Sequence, residues 1–269
     1  MGAQGQPAEG RGDGTVGKAL DVLDMVASAG RPVRFSDLLG DAPYPKATLY
    51  RFLQVLTHQG MLAHDPDRGT YSPGVRLVRL AHAAWAQSSL APVARAHVDA
   101  LAAATDETVH LAQLDQGQVL YVDKRNAARP VEMFAQAGKV GPAHCTGVGK
   151  AMLAFLAPEA LEAALARQSF HGFTPHTLTT RTALLAELAA IRTRGFAYDR
   201  EEHEPGIICV AAPILSRAGR VMGALSVTST TARRRLEEMA ELAPQVIGTA
   251  AAIAADAETW RFPEQEGSA

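Results

Sequence analysis

Residues 45–60 read PKATLYRFLQVLTHQG, and the way this stretch folds decides the architecture of the first part of the chain. Leu49, Leu53 and Leu56 recur at helical spacing and form one apolar stripe, Pro45 suits the first helical position, where its missing N–H costs nothing, and Gly60 stops the run. The segment is predicted to be a helix with Lys46, Ala47, Tyr50, Arg51 and Gln54 facing away from the core. Before it, the turn formers of DAPY (41–44) follow a short helical segment, FSDLLG (35–40), that buries Phe35, Leu38 and Leu39. Earlier still, TVGKALDVLDMVASAG (15–30) places Val16, Leu20, Leu23 and Ala27 on one side of a first helix. After it, MLAHDPDRGTYSPG (61–74) is two short extended runs around Asp65, Pro66, Asp67 and Gly69, a hairpin with Arg68 at its tip.

Helix, short helix, tight turn, helix and hairpin is the order of a winged helix-turn-helix, whose third helix enters the major groove of double-stranded DNA. Lys46, Tyr50 and Arg51 lie on the outer face of that helix, and Thr48 stands near its start, where backbone N–H groups also receive phosphate. The competing reading is a small helical bundle with solvated surface charges. Lys and Arg outnumber Asp and Glu only slightly over residues 11–80, so one copy carries a weak basic footprint and a dimer doubles it. The net charge of the whole chain, −2, points to no nucleic-acid partner on its own.

The rest of the 269 residues, 47% of them hydrophobic, is enough for a second domain with an ordinary core. The longest apolar stretch, VIGTAAAIAADA (246–257), is mostly alanine and runs into Glu258 and Arg261, so no membrane span is expected. The start, MGAQGQPAEGRGDG, has neither a basic opening nor an apolar run and is expected to be a disordered tail over 1–13 rather than a secretory signal, which implies a cytoplasmic location. Cys145 and Cys209 are the two cysteines; they form no CxxC pattern, and reduced thiols are expected.

VRLVRLAHAAWAQS (75–88) continues as a helix with Leu77, Leu80, Ala81 and Ala84 on one side, a connector whose copy in a second subunit is one candidate to cover it. Beyond a helix from Pro92, ETVHLAQLDQGQVLYVDK (107–124) is two strands joined at Asp115–Gly117, followed by a short run, VEMFAQ (131–136). Helices over 159–165 and 182–194, strands at FAYD, IICVAAPI and VMGALSVTS, and a long helix from about Arg235 to Thr259 complete the pattern. Strand pairs interleaved with helices argue for an α+β domain with an antiparallel or mixed sheet. The domain limits expected are a winged helix-turn-helix over 14–74, a linker helix over 75–89, an α/β ligand domain over 90–260 and a tail over 261–269.

HCTGVGKAM (144–152) invites three chemistries. A phosphate loop requires GxxxxGK followed by Ser or Thr, whereas position 144 is His and position 151 is Ala. A cysteine nucleophile requires a base within reach, and adjacent residues in extended chain point to opposite sides, so His144 serves Cys145 poorly. The third is a helix start capped by Thr146, in which Gly147 and Gly149 let a small ligand approach backbone N–H groups; the alternative is that the glycines merely allow close packing of helix on sheet. Glu201, Glu202 and His203 beside Asp199 read as a solvated loop rather than a metal site, and no metal, cofactor or catalytic residue is assigned.

In series, PKATLYRFLQVLTHQGML, YSPGVRL, ETVHLAQLDQGQVLYVDK, HCTGVGKAMLA, GFAYDREEHEPGIICVAAPI and GALSVTS resemble the IclR family of bacterial transcriptional regulators from about Thr15 to Thr259. The resemblance implies an N-terminal winged helix-turn-helix, a linker helix used in dimerisation and a GAF-like α/β effector-binding domain. It also implies dimers or tetramers that regulate catabolic operons in response to small molecules. It carries DNA contacts onto Lys46, Thr48 and Arg51, with Tyr50 tuning sequence, and the effector pocket onto Gly147, Val148, Asp199, Ile207, Cys209, Ser226 and Thr228. Ile207 and Cys209 are two apart, as are Ser226 and Thr228, so each pair faces one side of its strand. The chain departs from the family in the turn at Ala42–Tyr44, where a Gly is usual, and at Arg34, where a small capping residue is common. With no Arg among the pocket residues, the expected effector is a small hydroxylated organic acid, its carboxylate at the helix start and its hydroxyl donated to Asp199. The expected partners are thus operator DNA, that effector and a homodimer or dimer of dimers acting as a repressor. The alternative is a metabolite-binding or enzymatic α/β domain behind an interaction module.

Overall fold

A computed structural model describes residues 14–88 and 90–259; the tails expected at 1–13 and 261–269 lie outside them. The chain divides after Ala84 into two compact units.

In the first unit, α1 (Thr15–Ser28), β1 (Val33–Arg34), α2 (Phe35–Asp41), α3 (Lys46–His58), β2 (Leu62–Asp65) and β3 (Thr70–Pro73) enclose one small core. The leucine stripe of α3 is buried together with Phe52, against Val22, Leu23 and Val26 of α1 and against Val33, Leu62 and Tyr71 of the three-stranded sheet β1-β3-β2. α1 corrects the sequence reading: Val16 and Leu20 are 74% and 49% exposed and Ala27 is exposed, because the helix turns the overlapping stripe Val22–Leu23–Val26 inward instead. Pro45 is the residue before α3 rather than its first turn. The turn that lacks the family's glycine is held by Tyr44, whose hydroxyl donates to Asp21 on α1 at 2.7 Å and whose ring meets Phe52 edge-on. At Arg34 no small cap is needed, since its backbone N–H donates to the Asp37 carboxylate in the first turn of α2.

Helix α4 (Val75–Ser88) carries the chain across the division. Of its expected apolar side only Leu77 packs on the core of the first unit; Leu80, Ala81 and Ala84 are exposed, as are Val75 and Val78.

The second unit runs α5 (Ala91–Thr105), β4 (Thr108–Asp115), β5 (Gln118–Arg125), β6 (Val140–Gly141), α6 (Gly147–Leu153), α7 (Pro158–Leu165), α8 (Arg181–Arg194), β7 (Ala197–Arg200), β8 (Ile207–Leu215), β9 (Val221–Thr230), α9 (Leu236–Glu241) and α10 (Ala243–Thr259). Its six strands form one antiparallel sheet in the order β6-β5-β4-β9-β8-β7. The β4–β5 turn takes positive φ at Gln116 and Gly117, the mirror-image geometry that suits a two-residue hairpin. Strand alternation sorts side chains between two layers. Val109, Leu111, Ile208, Val210, Leu225 and Val227 face α5, α9 and α10, while Ala112, Tyr121, Cys209, Ala211 and Ala224 face α6, α7 and α8. VEMFAQ forms no strand but crosses as irregular chain, and the single long final helix expected from about Arg235 is broken between α9 and α10 at Leu242.

Candidate ligand cavity and nucleic-acid interface

The outer face of α3 is what its leucine stripe leaves over. Lys46, Tyr50 and Arg51 are exposed and Thr48 is half-buried one turn in. Tyr50 leans edge-on against Phe35 of α2, which restricts its ring. Arg68 stands at the tip between β2 and β3 with its side chain 81% exposed; its backbone N–H donates to Asp65. Its guanidinium lies 3.9 Å from the same carboxylate, too loose and too wet a pair to hold it back from a phosphate.

In the second unit, β8 and β9 pair so that Cys209 lies opposite Thr228 and Ala211 opposite Ser226. The equal parity of these positions puts Cys209, Ser226 and Thr228 on the face covered by α6. Above them the chain must pass very close to the sheet. A Cβ on Gly147 would stand 2.3 Å from the Cys209 sulfur and 3.4 Å from Ala211, so only glycine permits this approach. The packing reading of the glycines therefore holds at Gly147, and it is the same close approach that brings the first turn of α6 to the cavity.

A cavity there is lined by Gly147, Val148, Asp199, Ile207, Cys209, Ser226 and Thr228, the seven residues assigned to the effector pocket from the sequence. It is also lined by seven not assigned to the pocket from the sequence: His110, Tyr121, Met133, Ala135, Thr146, His203 and Glu204. His110 reaches it because β4 pairs with β9 with His110 opposite Ser226. A lone histidine alternating with Val109 and Leu111 was the available signal. Thr146 precedes α6, but its hydroxyl donates to the Pro142 carbonyl at 2.8 Å instead of capping the helix. The first-turn N–H groups of α6 thus gain no side-chain acceptor there.

The loop after β7 is not solvated as expected. Glu202 is buried and ion-paired with Lys150 of α6, which is fully buried. Thr174 and Thr177 donate to the Glu201 and Glu202 carbonyls at 2.6 Å each. Next to it, both oxygens of the Glu204 carboxylate lie 3.0 Å from the Phe134 N–H, fastening the irregular segment that carries Met133 and Ala135. Among the described residues no group of His, Cys, Asp and Glu is arranged to hold a metal.

Burial dominates the electrostatics. It lifts the Asp199 carboxyl to about 7, with Lys150 opposing and Glu202 adding to the rise, while one carboxylate oxygen accepts the Glu202 N–H at 2.8 Å. Burial, helped by Lys124, lowers His110 to about 3, so its imidazole is neutral at physiological pH. Burial pushes both thiols, Cys145 and Cys209, well above their ordinary range; neither supplies a thiolate. No described helix is long and apolar enough to cross a membrane.

Residues 15–66 match the IclR helix-turn-helix domain and residues 82–255 the C-terminal domain of bacterial transcriptional regulator IclR. The chain is 31% identical to the HTH-type transcriptional regulator XynR of Escherichia coli K12 over 86% of its own length and 92% of that protein. It is 28% identical to the Transcriptional repressor IclR of the same organism over 87% and 86%. Among solved structures it is similar to an IclR homolog from Microbacterium hydrocarbonoxydans complexed with 4-hydroxybenzoate, with a TM-score of 0.79, 25% identity, and coverage of 91% of this chain and 100% of that one.

Proposed function

The chain belongs to the IclR family of bacterial transcriptional regulators, a regulator rather than an enzyme, and from that premise we propose a repressor that leaves its operator when a small organic acid fills the cavity under α6. The reading rests on one observation: the seven residues picked out in the sequence line a single cavity whose polar groups, Asp199, Ser226 and Thr228, converge beside a helix start. The effector carboxylate meets the first turn of α6 at Gly147 and Val148, and Asp199, its carboxyl raised by burial, shares a proton with it instead of accepting from the effector hydroxyl as the sequence suggested. Ile207 and Cys209 supply apolar wall. The complex of 4-hydroxybenzoate with a similar protein supports a hydroxylated acid as the class.

DNA is held by Lys46, Thr48, Tyr50 and Arg51 on α3 and by Arg68 at the wing. The protein acts in the cytoplasm as a dimer or dimer of dimers on a roughly palindromic operator. The exposed Val16 and Leu20 of α1 and Val75, Val78 and Leu80 of α4 support an interface between copies, since these are large apolar side chains left uncovered in one chain. We assign the domain limits 14–74, 75–89 and 90–260, with α4 carrying the signal. A gel-shift titration with DNA upstream of the gene and its neighbours, repeated with a panel of small organic acids, tests the reading. A shift released by an acid in the wild type, and not released in Asp199→Ala, supports it; a shift that no acid releases refutes the effector assignment.

A further inference from the structure

His110 is 3% exposed and lines the cavity. Its Nδ1 lies 3.2 Å from the Thr228 hydroxyl and 3.5 Å from that of Ser226, and these hydroxyls lie 3.4 Å from each other. Tyr121 packs edge-on against the ring. All of this leaves Nε2 buried with no hydrogen-bond partner among the described residues. An unmet buried polar atom is costly, and this one belongs to a side chain in the cavity wall, where a ligand can meet it. Its neighbours on the same face of β4, Thr108 and Ala112, are smaller side chains.

We propose that His110 is a specificity-determining residue of the cavity, which reads an uncharged hydroxyl at the end of the effector remote from its carboxylate. This rests on the organic-acid reading above and adds the position of the second functional group. Two arguments fix the class. A hydroxyl both donates and accepts, so it satisfies Nε2 in either tautomer of a neutral imidazole, whereas a second carboxylate would be desolvated against a wall whose lining residues include no Lys or Arg to pair with it. The separation follows from the sheet: Gly147 stands over β8 at Cys209 and Ala211, and His110 stands on β4 at the level of Ala211 and Ser226, two strands away. Two strand spacings are about 10 Å. The ligand lies across β9, over Ser226 and Thr228, and its hydroxyl is several bonds from the carboxylate, as in a para-hydroxylated aromatic acid and unlike a 2-hydroxy acid.

Calorimetric titration of the full-length protein with three probes, 4-hydroxybenzoate, benzoate and lactate, tests this, in the wild type, His110→Leu and His110→Gln. The expected result is at least tenfold tighter binding of 4-hydroxybenzoate than of benzoate in the wild type. The preference should collapse in His110→Leu, with benzoate affinity little changed, and return in part in His110→Gln, whose amide both donates and accepts. A merely structural role would weaken both aromatic acids alike. Equal binding of the two by the wild type, a preference that survives His110→Leu, or tighter binding of lactate overturns the role of His110 while leaving an acid site standing. Binding of none of the three, when other organic acids release operator DNA, also overturns it; if no acid acts at all, the acid-sensor reading falls with it.

Discussion

The Lys150 side chain, without solvent-exposed surface on α6, forms an ion pair with Glu202, 3% exposed in the loop after β7. Fifty-two positions separate the two in sequence. The pair joins the helix that starts at the cavity to the loop that brings His203 and Glu204 to its edge, and its charges also act on Asp199 from opposite directions. Desolvating two charges is costly, and their mutual attraction offsets that cost only while both are present.

Removing one partner should therefore be much worse than removing both. Lys150→Met is expected to destabilise the protein by about 3–5 kcal/mol in denaturant unfolding, because it leaves Glu202 buried without a counter-charge. Lys150→Met combined with Glu202→Met should recover most of that loss. A single variant within about 1 kcal/mol of wild type would show that the pair is solvated in solution.

Gly147→Ala should bring a methyl group into the Cys209 sulfur. With a contact of 2.3 Å, either α6 moves off β8 or the thiol turns away. A loss of about 1–3 kcal/mol is expected, together with weakened effector response. Adding Cys209→Ala should restore stability, since it removes the atom that is struck; the unfolding midpoints of the two variants decide this.

Asp199 and His110 should impose opposite pH dependences on stability. Asp199 rises from an ordinary 3.8 to about 7 on folding, so its contribution is full below about pH 4 and lost as pH rises through 7. His110 falls from 6.5 to about 3, so its contribution is present above about pH 6.5 and lost as pH falls through 3. Each is on the order of 4 kcal/mol across its window, and between about pH 4 and 6.5 the two largely cancel. Relative to wild type, Asp199→Asn should gain stability as pH rises through that window, and His110→Gln should lose it; thermal melts at three pH values read the two slopes.

On DNA, Arg51→Ala and Lys46→Ala should each weaken operator binding across all sequences and lower the salt slope by about one, as expected for a lost phosphate contact. Tyr50→Ala should instead change which operator variants are preferred, with the salt slope kept. Binding isotherms at several salt concentrations separate the two effects.

Leu20→Glu together with Val78→Glu should shift the protein toward monomer in sedimentation and weaken operator binding with it. Both side chains are exposed in one chain, so neither change should lower the stability of the first unit by more than about 0.5 kcal/mol. An unchanged oligomeric state would place the interface between copies elsewhere.

Much of the fold is legible in the sequence. The leucine stripe of α3 and the turn formers of the hairpin marked the helix-turn-helix, and the two-residue spacings at Ile207–Cys209 and Ser226–Thr228 put each pair on one face of its strand. These are local signals, set by the 3.6 and 2.0 periods of the backbone itself. Where two apolar stripes overlap, as on α1, the period alone does not tell which one the core takes, and Val16 and Leu20, inward on the one stripe, lie outside in the fold.

Pairing between distant segments set the rest. His110 reaches the cavity through the register of β4 on β9, and a slip of one residue would have turned it to the other face. Lys150 meets Glu202 because α6 packs on the β7–β8 end of the sheet, and Thr146 gives its hydroxyl to Pro142 rather than to its helix because of how the preceding chain returns. Short-range geometry repeats along the chain, so the sequence carried most of the elements, the family and half of the cavity wall. The polar atom left unmet inside that cavity was decided by long-range packing, in which each residue's environment is set by neighbours from many positions away.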